Sequence, residues 1–101
     1  DQRVSLLGGR LSRIRRGAEE ASIPAAHLIY SVGPHKLSVL VFDDGGVINY
    51  DESSMALGKK VLRFHESRGH RVAMYRNGSL TYAITSNMPK TDLIGVIETS
   101  L

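Results

Sequence analysis

The sequence predicts an α+β fold, an antiparallel sheet of five or six strands with a C-terminal helix packed on one face. Apolar residues alternate with polar ones over most of the chain, which is the period of a half-buried strand. An Asn77-Gly78 pair separates two such runs, as a tight hairpin requires. Near the carboxy end the apolar residues change to helical spacing. Val, Ile and Leu dominate the apolar set while aromatics reach only 6% and Trp is absent, so the core rests on residues that suit a pleated sheet. With 101 residues, 42% apolar and 23% charged, residues 1–101 are expected to form a single domain rather than a disordered tail.

The opening segment LLGGRLSRIRR, residues 6–16, permits two readings, because Leu7, Leu11 and Ile14 would also share one face of a helix. The adjacent Gly8 and Gly9 favour a bent strand. Each Gly weakens a helix interior by about 1 kcal/mol, whereas in a strand it marks a bulge or a close backbone approach. In AAHLIYSVG, Leu28, Tyr30 and Val32 share a face; in HKLSVLVFDD, Leu37, Val39 and Val41 do the same. Gly33 and Pro34 interrupt the ladder between them, so these two strands form an antiparallel hairpin. The chain from Asp43 through Ala56 has no sustained period and reads as a turn and a connecting loop. KKVLRFHES resumes the alternation. HRVAMYR and SLTYAITSN then flank the Asn77-Gly78 turn, with Val72 and Met74 expected on the face of Leu80, Tyr82 and Ile84. Pro89 opens the closing helix, whose stripe runs through Leu93, Ile94, Val96, Ile97 and Leu101.

The formal net charge of +3 is concentrated at one end: residues 1–16 hold five Arg and one Asp, and the remainder is nearly neutral. Arg10, Arg13, Arg15 and Arg16 lack the interleaved aromatics of a nucleic-acid face, so no nucleic-acid partner is expected. No apolar run reaches the roughly 20 residues of a membrane helix, and no signal peptide is visible. The first residue is Asp, which fits an excised piece of a longer chain. Without Cys, disulfides, thiolate metal sites and thiol catalysis are excluded within these residues.

No enzymatic constellation stands out. Gly8-Gly9 lacks both the P-loop ending and the dinucleotide spacing. The acidic pairs at 19/20, 43/44 and 51/52 fall in apparent loops, and no Ser sits in a nucleophile elbow. No catalytic residue and no cofactor is therefore expected. The four histidines, His27, His35, His65 and His70, are the candidate metal ligands, with His27 and His35 able to meet across their hairpin, but no helical or carboxylate spacing supports them. Tyr30, Phe42, Tyr75 and Tyr82 are candidate contact residues, at least half of them doubling as sheet core. Two alternatives stay open, a small histidine-based metal-sensing domain and a small basic nucleic-acid-binding module.

Three stretches in succession, LLGGRLSRI, PAAHLIYSVGPHKLSVLVFD and GHRVAMYRNGSLTYAITSNMPKTDLIGVIETSL, resemble the extracytoplasmic C-terminal domain of bacterial transmembrane anti-sigma factors, the zinc-finger anti-sigma family. The resemblance spans residues 6–101 apart from the middle loop, and it lies in the order of the motifs rather than in any one of them. Family members often carry Trp within the strand written here AMYR, and an acidic residue where Asn87 stands.

The resemblance implies a non-enzymatic sensor or signal-relay domain on the periplasmic side of the bacterial inner membrane, in a single-pass protein that regulates transcription. The sigma factor would be met only by a cytoplasmic domain, and the membrane by a transmembrane helix, neither of which lies in these residues. The partner of this domain would be a protein or an envelope signal, with a homodimer as a further option. Arg13 and Arg15 would then sit near anionic head groups where the chain leaves the membrane.

Overall fold

The computed structural model describes residues 4–15, 22–43, 54–58, 60–67 and 70–100. Its elements are β1 (Val4–Arg15), β2 (Ser22–Val32), β3 (His35–Asp43), β4 (Ser54–Leu57), β5 (Lys60–Ser67), β6 (His70–Asn77), β7 (Leu80–Ser86) and α1 (Lys90–Ser100). The strands form one sheet in the order β1-β2-β3-β7-β6-β5-β4, and every neighbouring pair is antiparallel. With 76% of the described residues in strands, the fold is mostly β. This corrects the expected α+β class of five or six strands with a packed helix to a seven-stranded sheet followed by one short helix.

The additional strand is β4. Its sequence, SMAL, falls in the stretch read as loop, because four residues are too few to display a period. What makes it a strand is the turn behind it: Gly58 adopts a φ of 63°, and Leu57 pairs with Lys60 and Ser54 with Arg63. Residues 44–53, the rest of that loop, lie outside the described residues, as do Arg16 and the acidic pairs at 19/20 and 51/52.

The hairpin between β2 and β3 closes through Gly33, at φ 58°, and Pro34, with Val32 opposite His35. In the β6–β7 hairpin the loop is shifted by one residue from the expected place. Asn77 pairs with Leu80, so Gly78 and Ser79 form the connection, and Gly78 takes the positive φ of 64°. Moving a two-residue loop by one position shifts the pairing by two residues and leaves the faces unchanged, so the departure from the expected faces lies in the strand parity itself: in either register odd positions of β6 oppose even positions of β7. Tyr75 and Ala73, not Met74 and Val72, lie opposite Tyr82 and Ile84.

Strand alternation sorts the sheet into two unlike faces. One face gathers Leu37 and Val39 of β3, Leu62 of β5, Ala73 and Tyr75 of β6 and Ile84 of β7, all essentially buried. Leu93, Val96 and Ile97 of α1 belong to the same cluster, at the spacing of one helical face. The amide of Leu93 donates to the Pro89 carbonyl at 3.0 Å, closing the first turn of α1. The Lys90 ammonium lies 4.6 Å from the Phe64 ring centre, and Lys60 donates to the Ile97 carbonyl at 3.2 Å. Both partners are on β5, so α1 runs along that strand in the opposite direction. The Lys60 ammonium also places positive charge at the carbonyl end of the helix dipole, where α1 has no basic residue of its own.

The junction between β7 and α1 is braced by polar contacts. The Ser86 hydroxyl donates to the Lys36 carbonyl at 3.3 Å and accepts from the Met88 amide at 3.1 Å. Arg71 donates to the Met88 carbonyl at 3.1 Å and, through its other terminal nitrogen, to Glu66 at 3.1 Å. Together they tie the start of β3, the end of β7 and the entry to α1 into one corner.

Candidate functional site

On the face away from α1, the ladder brings Gly8, Ile29, Ser38, Thr85 and Val72 into one row across five strands. Three of these side chains are absent or short, so the row forms a depression. The next row toward the β2–β3 turn carries Lys36 of β3, followed by Asn87 and His70 near the braced corner. On the other side, Arg10 pairs with His27. Two open clefts result. One, of about 500 Å³, is lined by Ile29, Lys36, Ser38, His70, Thr85 and Asn87 among others; the second, of about 360 Å³, by Gly8, Gly9, Arg10, His27 and Ile29. Ile29 lines both, so they adjoin as one trench.

The electrostatics are one-sided. Among the described residues no carboxylate lines either cleft. Among the described residues, Asp43 and Glu66 share the strand parity of the core face, and Asp92 and Glu98 belong to α1. The trench is instead bounded by Lys36, Arg10 and imidazoles, with hydroxyl and amide donors between. His27 is held in place across the row by its Nε2, 2.6 Å from the Ser38 hydroxyl.

The two glycines of the opening segment have separate roles here. The β1–β2 register shifts between Leu6 and Gly8, the bulge that two adjacent glycines suggested. A Cβ on Gly8 would meet nothing within 4 Å, because it would stand in the trench; one on Gly9 would lie 2.8 Å from Leu28 Cδ2, on the core side. Gly8→Ala is therefore expected to leave stability unchanged or raise it by up to about 1 kcal/mol through reduced chain entropy. Gly9→Ala, which must displace Leu28, is expected to fall about 1 kcal/mol below it. Urea denaturation of the two variants checks the order, and equal midpoints would contradict the close approach.

The expected contact residues do not form one surface. Tyr75 is buried and stacks on Tyr82, with ring centres 4.9 Å apart and planes 2° from parallel; Tyr30 and Tyr82 pack partly buried against the core. Phe42 is half-buried on the opposite face. Arg13 is occupied locally, its Nε donating to the Ser22 hydroxyl at 2.8 Å and a terminal nitrogen to the Ser22 carbonyl at 2.9 Å. Arg15 ends β1 opposite Ser22, and its side chain lies outside the described residues.

The histidines are also redistributed. His27 pairs with Leu40 and His35 with Val32, so they stand well apart along their hairpin rather than meeting across it. His35 and His70 both line the larger cleft, while His65 is exposed on β5 opposite Val72. Among the described residues no three His, Asp or Glu side chains converge as a ligand set. Sequence reasoning missed Gly8, Lys36, Ser38, Thr85 and Asn87. No local signal marks them: Gly8, Ser38 and Thr85 come one from each of three strands and acquire meaning only when the register aligns them.

No protein-family model, curated protein or solved structure matches this chain. None of the helices among the described residues is long and apolar enough to cross a membrane.

Proposed function

We propose that this chain is a non-enzymatic extracytoplasmic sensor or signal-relay domain of a membrane-anchored anti-sigma factor. The observation that carries the reading is spatial. The three stretches of the resemblance are separated by as much as 25 residues of sequence, residues 44–68, yet their strands lie side by side as β1-β2-β3-β7-β6, with α1 following directly. The middle segment, which the resemblance does not cover, supplies β5 and β4 at the far edge. A contiguous unit with its variable part at one edge is what a shared domain with a divergent insertion looks like.

Relay in such a domain works by population shift: whatever binds one arrangement of the sheet more tightly biases the attached membrane segment. The sheet offers an open trench for that purpose on one face, and exposed Leu6, Leu7 and Leu11 on the outermost strand β1. The test is transcriptional. Deleting the codons for residues 1–101 from the gene, with the rest left in frame, is expected to change the expression of one promoter class coordinately, read by RNA sequencing. An unchanged transcriptome under envelope stress overturns the reading.

A further inference from the structure

We infer that the trench on the face away from α1 is a binding site for a small amphiphilic anion, whose carboxylate or phosphate group sits by Lys36 and whose apolar body lies over Ile29 toward Gly8. This goes beyond the sensor reading and holds whether or not the domain is tethered to a membrane.

Four observations converge on it. The larger cleft has a volume typical of ligand sites, about 500 Å³, and continues into the smaller one across Ile29. Its lining includes residues of different elements that carry donors: Lys36 of β3, Asn87 after β7 and His70 at the start of β6. An ammonium and an amide donate to an anion, and an imidazole offers an N–H in either protonation state. Among the described residues no acidic side chain competes for these donors within the lining. Finally, the surrounding backbone is pre-arranged, since Ser86 bridges the Lys36 carbonyl to the Met88 amide and Arg71 grips the Met88 carbonyl. That frame fixes the backbone from which Lys36 and Asn87 project, so only their side chains have to be ordered on binding.

The apolar half of the ligand follows from the floor. Ile29 is the large apolar side chain shared by both clefts, and Gly8 leaves the space beside it empty. An inorganic ion would use only the Lys36 end, so a chain of several carbons behind the anionic group is needed to occupy the rest.

The experiment is an amide chemical-shift titration of the full 101-residue chain with octanoate, octyl phosphate and, as the uncharged control, octanol. Shifts are expected at Gly8, Ile29, Lys36, Ser38, Thr85 and Asn87, with octanol binding at least about tenfold more weakly, the ratio lost with one charge-assisted contact. The tighter of the two anions identifies the head group as carboxylate or phosphate. Lys36→Ala is expected to weaken both by about tenfold. Gly8→Leu fills the trench where a Cβ meets nothing, and is expected to abolish binding with the melting temperature retained. Equal binding of octanol, shifts scattered away from these residues, or full affinity in Gly8→Leu overturns the proposal. So does a short DNA duplex that shifts the same amides and displaces octanoate, which would make the trench a nucleic-acid surface.

Discussion

Ile97→Ala is expected to destabilise the domain by about 2–5 kcal/mol, out of the roughly 5–15 kcal/mol that a domain of this kind possesses. Ile97 has no exposed surface and belongs to the cluster formed by Leu37, Leu62, Ile84, Leu93 and their neighbours. Truncation removes buried methyl groups and leaves a cavity that the sheet beneath cannot close, because its side chains are fixed by the ladder. The helix has little to hold it otherwise. An 11-residue helix is marginal by itself, and its polar contacts, such as the Leu93–Pro89 turn, the Lys60 contact at the Ile97 carbonyl and the Thr99 hydroxyl donating to the Gly95 carbonyl at 2.8 Å, do not replace the burial of its apolar face. Leu11→Ala is the matched control, since Leu11 is 86% exposed and its loss is expected to change stability by no more than about 0.5 kcal/mol. Guanidinium denaturation of both variants decides the matter, and a cost below about 1 kcal/mol for Ile97→Ala would mean that α1 contributes little to the core.

Raising the pH from 10 to 12 is expected to weaken the wild-type domain by about 2 kcal/mol more than its Tyr75→Phe variant. Burial, and to a lesser degree the neighbouring Tyr82 and Tyr30, push the Tyr75 phenol up from 10.0 to about 12. The sign follows from proton counting. Below pH 10 both folded and unfolded chains keep the proton, so the full stability is present. Between 10 and 12 the unfolded chain releases the proton while the folded one retains it, and stability falls as pH rises. Above the folded value the loss is complete. Phe keeps the ring that stacks on Tyr82 but has nothing to titrate, so the difference between the two curves isolates this one group from the other tyrosines and lysines. Parallel curves would show the phenol to be in contact with water.

These two effects trace to different levels of the structure. Ile97 is recognisable in the sequence as part of a helical stripe, and α1 stands where that stripe runs. The burial of Tyr75 was not recognisable with the same security. It depends on which parity of β6 faces the core, and the Asn77-Gly78 pair pointed to a hairpin while misplacing its loop by one residue. Either position of the loop keeps Ala73 and Tyr75 on the face of Tyr82 and Ile84, so turn chemistry does not choose the core side; the packing of Ala73 and Tyr75 into the cluster with Leu93, Val96 and Ile97 does.

Legible along the chain were the strands long enough to show a period, the hairpin at Gly33-Pro34, the bend at Gly8-Gly9 and the terminal helix, because each arises from residues close together in the chain. Tertiary structure alone decided that SMAL is a strand, that the sheet has seven strands in the order β1-β2-β3-β7-β6-β5-β4, and that Gly8, Ser38 and Thr85 line one trench. The physical reason is that register between strands far apart in sequence is set by burying one apolar face against α1. What lines the opposite face, including the place of His70 beside one cleft with His35 and the separation of His27 from His35, is a consequence of that burial and has no signature in any local stretch.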